Sequence, residues 1–483
     1  MQKKVSASFI IILGSMLFAL FFGAGNLIFP PMLGQLAGEN VWSANAGFLI
    51  TGVGLPLVAV AAFVYSGKSD LQSLASRVHP LFGLVFTVVL YLAIGPFFAM
   101  PRTGSVSFEI GVKPLLPESG SHHLALAIFT ILFFGLACVL SLNPSRIIDV
   151  IGRVLTPIKL TFIGVLVVTA LVYPIAKFQA PDASYASHAF FKGFQEGYLT
   201  LDALAATIFG IIIVNALKDR GVTARGELMS ICARAIAVAA VLLAVIYSSL
   251  SYMGAASVGK LGVLGNGADV LAKVSAYYFG PYGSVLLGLM ITVACMTTSV
   301  GLITSCAAYF HGLFPKLSYK KIAVILAAFS ALVANVGLNG LIRFSAPVLM
   351  MLYPLAIALV ILTFLHPLFK GNPGVYRGAL LLTFIVSLFD GLKAGGIEIA
   401  AAENVFSSIL PLYGVGLGWL VPAVIGGLAG LLLGKPAVDE TPSLEEVSAP
   451  QTLHADRALP LARVKETQTV RAAAPAAKRD KGV

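Results

Sequence analysis

The chain has 483 residues, 58% hydrophobic and 11% charged, with a mean hydropathy of +0.93 and a formal net charge of +11. Soluble chains average roughly 25% charged residues, and so few charges cannot cover a water-facing surface of this size. These figures exclude a cytosolic enzyme, a secreted scaffold and a disordered hub, and point to an all-α integral membrane protein with many spans. Helices are required because they satisfy their own backbone hydrogen bonds in lipid, whereas spanning strands alternate apolar and polar residues. The positive excess reads as basic loops beside membrane lipid, with no nucleic-acid partner.

In chain order, twelve apolar runs of about 20 residues are expected to span. They lie at about 7–36, 43–66, 82–108, 122–142, 149–173, 193–217, 229–253, 282–310, 321–338, 345–366, 376–394 and 405–434. Lys3 and Lys4 precede the first run, and Gly23-Ala24-Gly25 imitates a signal-peptide cleavage site. Apolar residues resume at Leu27-Ile28-Phe29, so an uncleaved first helix is expected. Residues 68–79 are polar on one face and suit the inner interface.

With the N-terminus inside, fourteen Lys and Arg residues fall in inner loops, among them Arg146, Arg153, Lys218 and Arg220. Eight fall outside, among them Arg102, Lys113 and Lys393. That bias places both termini in the cytoplasm. Residues 1–434 form one transmembrane domain; 435–483, with eight basic and seven acidic residues, read as a disordered cytoplasmic tail. Cys138, Cys232, Cys295 and Cys306 lie inside apolar runs and read as small buried hydrophobes.

Two runs are interrupted. The first contains Phe21-Phe22-Gly23-Ala24-Gly25-Asn26-Leu27-Ile28-Phe29-Pro30-Pro31. Its glycines permit an exposed backbone, and its prolines remove two donors. The second, five runs later, is Gly193-Phe194-Gln195-Glu196-Gly197-Tyr198-Leu199-Thr200-Leu201-Asp202-Ala203-Leu204-Ala205. A broken helix is tolerated at membrane depth only against protein or a watery cavity, and paired breaks point to a transporter's binding site. Asp202 is costly in an apolar helix and is a functional candidate by default, although it also suits hydrogen bonding to unwound backbone. Freed N–H groups suit a carboxylate; freed carbonyls and side-chain oxygens suit an ammonium or a sodium ion. The aliphatic and aromatic surroundings favour a small zwitterion with an apolar side chain.

Run eight contains Ala294-Cys295-Met296-Thr297-Thr298-Ser299. Its hydroxyls suit a hard ion, or bonds to their own i−4 carbonyls. Arg102 and Glu109 suit a surface or vestibule ion pair, or a gate. Asp390 and Lys393 read as interfacial. Phe97 and Phe98 suit substrate contact through span three or core packing, and Phe98 is counted among the substrate contacts. A channel needs a continuous polar pore, and a membrane enzyme needs a nucleophile with its base or a His-Glu-x-x-His motif; the sequence shows neither, so no enzyme is expected.

Three stretches resemble the bacterial branched-chain amino acid:cation symporters, the BrnQ-type carriers of the amino acid–polyamine–organocation superfamily. They are Gly23 to Pro31, Gly197 to Ala205, and Ile94-Gly95-Pro96-Phe97-Phe98-Ala99-Met100-Pro101-Arg102-Thr103. The resemblance covers nearly all of residues 5–435. It implies sodium-driven uptake of leucine, isoleucine and valine across the bacterial cytoplasmic membrane, with no organic cofactor. It implies the leucine-transporter fold: inverted five-helix repeats at about 5–173 and 190–366, helices one and six discontinuous, and peripheral helices at about 376–434.

The same resemblance implies site residues. Backbone N–H groups of Ala24 and Gly25 would meet the substrate carboxylate, and Asn26 and Thr200 would ligate a sodium beside it. Leu199 and Asp202 would also touch substrate. Asp202 stands where other members carry a small polar residue, so a carboxylate there suits the ammonium or a coupled proton. A second sodium would take carbonyls of Ala19, Phe22 and Ala294 and hydroxyls of Thr297 and Thr298, or Ser299 if the register slips by one.

Overall fold

A computed structural model describes residues 7–68, 70–117, 122–142, 156–207, 217, 222 and 225–434. Every regular element among the described residues is helical. Seven stretches are long and apolar enough to cross a membrane: Ala24–Ser66, Pro80–Leu115, His123–Leu142, Gly226–Ala255, Gly267–Leu313, Leu338–Leu365 and Pro373–Ala394. Phe9–Phe18, Thr161–Val172 and Leu420–Leu433 are shorter apolar helices. Outward faces carry large aliphatic side chains, with Leu132 67% and Leu432 85% exposed, as lipid contact requires. The expected tail 435–483, the N-terminal Lys3 and Lys4, the inner-loop Arg146, Arg153, Lys218 and Arg220, and positions 149–155 and 208–216 of runs five and six lie outside the described residues.

Several expected boundaries move, each for a local reason. The first run is two helices, Ala7–Phe21 and Ala24–Ala37. The second of these continues through a tight turn, Gly38–Asn40, into the next run without extended backbone. Run three breaks at Gly95, whose φ of −88° and ψ of −123° are not helical, just before Pro96. Proline disfavours the α conformation in the residue before it, and glycine accepts the alternative.

Run eight starts earlier than expected, at Gly267, because the Asn266 side chain caps the N–H groups of Ala268 and Asp269. That helix bends at Gly280, with φ +63°, before Pro281. The last run is two helices, Ala400–Ile409 and Leu420–Leu433, separated by Pro411, Gly414, Gly416 and Gly418. In residues 68–79 a short helix, Leu71–Ala75, is capped by Asp70 and buries Leu71, Leu74 and Ala75.

Close helix contact rests on glycine. A Cβ on Gly34 would lie 1.9 Å from the Ser251 carbonyl oxygen, and one on Gly254 would lie 2.0 Å from that of Pro31. These two positions lock the second half of the broken first span against the helix Arg225–Ala255. Between the last two spans, Gly374 and Gly378 face Gly426 and Gly430 at similar range. Small residues four apart let membrane helices approach closely, where dispersion rather than water exclusion holds them.

Inserting even one methyl where only backbone atoms stand costs about 1–3 kcal/mol. Gly34→Ala should therefore lower the Tm of the purified protein by several degrees. Gly164→Ala, where a Cβ meets no described atom within 4 Å, should not lower it. A scan of both variants in one detergent checks this; equal Tm values would refute the close-contact account.

Candidate functional site

The first break is two residues long. Phe22 still donates its N–H to the Phe18 carbonyl at 2.8 Å, but Gly23 is extended, with φ −104° and ψ −164°. The next helix starts at Ala24, so its first N–H groups lack intrahelical partners and the positive end of its dipole faces the gap. Asn26 turns its Oδ1 back to accept the Gly23 N–H at 3.4 Å.

At the second break, Ala189–Glu196 tightens into the single turn Gly197–Thr200. Leu201 then adopts the left-handed conformation, with φ +68° and ψ +3°. That geometry costs an L-residue about 1–2 kcal/mol. The Thr200 hydroxyl ties the turn together: it donates to the Gly197 carbonyl at 2.8 Å and accepts the Asp202 N–H at 3.3 Å. Helix resumes from Asp202.

The two breaks meet. The Asn26 amide nitrogen donates to Asp202 Oδ2 and to the Tyr247 hydroxyl, and all three residues are buried. A carboxylate only accepts, so the NH2 end of Asn26 must face it, which leaves Oδ1 for the break. The ring of Tyr247 lies against Phe22 and Phe48. A Cβ on Gly25 would come within 3.3 Å of both the Thr200 carbonyl oxygen and Arg102 Nη1.

The third break, at Gly95-Pro96, aims the helix Ala99–Gly111 at this cluster. Its residue Arg102 is 2% exposed. Nη1 donates to the Leu199 carbonyl at 2.5 Å, Nη2 donates to the Ser345 hydroxyl at 3.3 Å, and the guanidinium lies over the Phe29 ring at 5.1 Å. Arg102 therefore belongs at the breaks, not in an outer loop or vestibule. Its expected partner Glu109 bonds Lys113 at 2.5 Å, which also reaches Asp269 at 3.3 Å. Removing Arg102 from the outer basic residues widens the inner-loop bias.

In run eight, Thr297 and Thr298 donate to the carbonyls of Val293 and Ala294 at 3.0 and 3.2 Å. Thr298 nevertheless faces the first break: its methyl lies 3.9 Å from where a Gly23 Cβ would stand. Ser299 points elsewhere, sharing a 2.5 Å hydrogen bond with Thr103. Ala19 lies in the helix Ala7–Phe21, and Phe22 is buried just after its end.

Phe97 is 41% exposed and packs edge-on against Phe329. Phe98 starts the Arg102 helix, its carbonyl accepting the Arg102 N–H at 3.1 Å. At the end of run eleven Lys393 pairs with Glu403. Asp390 is placed otherwise: its Oδ2 is buried and has no hydrogen-bond partner among the described residues.

Sequence reasoning singled out Asn26, Thr200 and Asp202, and missed Arg102, Tyr247 and Ser345 as their neighbours. Arg102 carried a usable signal. It stands inside an apolar run after a Gly-Pro pair, and the argument from intramembrane charge applied to Asp202 covers it equally. Tyr247 and Ser345 carried none, because one hydroxyl in an apolar helix is ordinary.

Comparison with known proteins agrees with this architecture. Residues 6–436 match the family described as "Branched-chain amino acid transport protein". The branched-chain amino acid permease BrnQ of Bacillus subtilis is 69% identical over 433 residues, covering 90% of this chain and 98% of the relative. BrnQ of Escherichia coli K12 is 40% identical over 437 residues, covering 90% and 98%. Among solved structures, inward-facing Mhp1 superposes with a TM-score of 0.59 at 15% identity, covering 88% of this chain and 90% of that one. MhsT in complex with L-phenylalanine gives 0.53 at 16%, covering 89% and 98%. At such low identity these last two show a shared fold. The family and its permeases identify a transport protein, not an enzyme. The chain, broken helices and buried polar cluster included, belongs to the branched-chain amino acid transport protein family.

Proposed function

We propose that this chain imports leucine, isoleucine and valine by sodium-coupled alternating access across a bacterial cytoplasmic membrane, with both termini inside. The observation that carries the reading is the meeting of two unwound segments at Asn26 and Asp202, buried where a zwitterion needs opposite partners. The N–H groups of Ala24 and Gly25 receive the carboxylate, and Asp202 receives the ammonium. Leu199 and Phe98 contribute apolar surface. The bundle is read as two inverted five-helix repeats with two peripheral helices, twelve spans in all, and residues 435–483 as a cytoplasmic tail.

One sodium is proposed beside the carboxylate, on the side-chain oxygens of Asn26 and Thr200. A second is proposed on the carbonyls of Ala19, Phe22 and Ala294 and the hydroxyls of Thr297 and Thr298. The fit rests on donor chemistry. A threonine hydroxyl that spends its proton on an i−4 carbonyl keeps its lone pairs for a cation. Thr298 also lies beside the break it would bridge. Sodium ordering the unwound segments would raise substrate affinity, and substrate would raise sodium affinity equally. One bundle then rocks against the other about the fixed site.

A proton-coupled reading has its own support. Among the described residues no Lys, Arg or His nitrogen lies within 4.0 Å of Asp202, so its charge has no ion-pair partner and a proton is an available one. Leucine uptake into proteoliposomes separates the two. A transient overshoot under an inward sodium gradient at fixed pH supports sodium coupling. Uptake indifferent to sodium but driven by a pH gradient makes Asp202 the proton carrier.

Asp202→Asn should cut uptake at least about tenfold, the loss of one charge-assisted hydrogen bond, while yielding normal amounts of folded protein. Unchanged kinetics would remove Asp202 from the site. Thr298→Ala should raise the half-saturating sodium concentration about fivefold or more, with leucine affinity at saturating sodium little altered. An identical sodium dependence in the variant would refute the second cation site.

A further inference from the structure

We propose that Arg102 is the charged receptor for the substrate's carboxylate, supplementing the backbone N–H groups of the first break. This rests on the reading of the chain as an amino acid carrier. Arg102 is buried inside the bundle, and no carboxylate oxygen among the described residues lies within 4.0 Å of its guanidinium. Among the described residues the groups in direct contact with it are neutral, the Leu199 carbonyl, the Ser345 hydroxyl and the Phe29 ring, while the Asp202 carboxylate acts on it from beyond ion-pair distance. Its Nε–H is buried and has no hydrogen-bond partner among the described residues.

A cation in this setting carries a large desolvation cost that neutral dipoles offset only in part. An arriving carboxylate relieves it, and the planar guanidinium fits a carboxylate through two parallel hydrogen bonds. The position is right. Arg102 Nη1 stands 3.3 Å from where a Gly25 Cβ would be, beside the N–H groups at the start of the Ala24 helix. Leu199 and Asp202 lie three residues apart on the second break. The carbonyl holding the guanidinium and the carboxylate facing Asn26 thus flank the same unwound turn. A zwitterion laid along that turn meets a cation at one end and an anion at the other. The Leu199 carbonyl occupies the guanidinium until substrate displaces it.

A link that only closes the outer path would also join these helices through Arg102, Leu199 and Ser345. The two roles differ in what they discriminate. A carboxylate receptor distinguishes an amino acid from its amide; a closing link affects both alike.

The test uses the purified full chain. Thermal shifts in detergent are measured against the twenty amino acids and the amides of those that bind. Half-inhibitory concentrations of L-leucine and L-leucinamide are then measured on leucine counterflow in proteoliposomes, with no ion gradient. For wild type, leucine should act at about tenfold to hundredfold lower concentration than leucinamide. In Arg102→Gln the leucine value should rise about tenfold to hundredfold while the leucinamide value moves less than about threefold, with Arg102→Lys between them. If both values rise together, or only the turnover rate falls, the receptor role is overturned. Should Arg102→Gln fail to transport, the same ratio is read from its thermal shifts. If a different amino acid stabilises wild type, the branched-chain reading fails while the Arg102 comparison proceeds with that amino acid and its amide. Absence of any amino acid stabilisation in wild type overturns both.

Discussion

The hydrogen bond from the Asn26 amide to Asp202 is the contact around which the interior is arranged. In lipid, every interrupted helix leaves N–H and C=O groups that must find partners inside the protein. Each of the two breaks meets part of that requirement locally, through the Asn26 and Thr200 side chains, and the Asn26–Asp202 bond then joins them. Asn26 is suited to the junction because one side chain both donates and accepts. Its nitrogen serves Asp202 and Tyr247, and its oxygen serves the Gly23 N–H. Aspartate at the same position would put two carboxylates together, and leucine would take away the amide donor that Asp202 accepts from.

The scaffold around this junction is held by closeness more than by polarity. The segment Ala24–Ala37 lies between the helix Arg225–Ala255 and the start of Gly267–Leu313 with backbone in near contact. Gly34 and Gly254 serve one side, and Gly267, whose Cβ would stand 1.7 Å from the Ile28 carbonyl oxygen, serves the other. On the second break, Gly193 and Gly47 do the same between Ala189–Glu196 and Val41–Leu49. Each broken span is therefore held by close backbone contact with a neighbouring helix. The left-handed Leu201 is buried in a turn tied by the Thr200 hydroxyl, the kind of over-determined setting in which such strain persists.

How much of this was legible in the sequence depends on the kind of signal. Gly23, Gly25, Asn26 and Asp202 break strong rules for a membrane helix, so both breaks could be read and paired from composition alone. Boundaries set by capping were harder. The tight turn Gly38–Asn40 passes the chain directly from one run into the next, between the expected ends at 36 and 43, and Asn266 starts a helix well ahead of the apolar run. Gly95-Pro96 was visible as a motif but not as a break, and the direction it gives the Arg102 helix follows only in three dimensions. Partners such as Tyr247 and Ser345 come from distant spans, and no local pattern marks a residue that matters because of what folds against it. The expected Arg102–Glu109 pairing failed for the converse reason: Lys113, one turn beyond Glu109, was the nearer partner.

The geometry of the first break also suggests why a cation and an amino acid would be bound together. The helix Ala7–Phe21 ends there on its carbonyl side, where its dipole favours a cation; the helix Ala24–Ala37 begins there on its N–H side, where its dipole favours an anion. One interruption thus presents both polarities within two residues. On the proposed reading, sodium occupies the first end and the substrate carboxylate the second, close enough to attract each other in a medium that screens poorly. The fixed charges of Asp202 and Arg102 balance those of a zwitterion without changing the net charge of the site. The mobile cation is then the one charge added when the loaded carrier forms, and its binding is strengthened by the carboxylate that arrives beside it. A carrier so built would move poorly with only one of its two passengers, which is the property coupled transport requires.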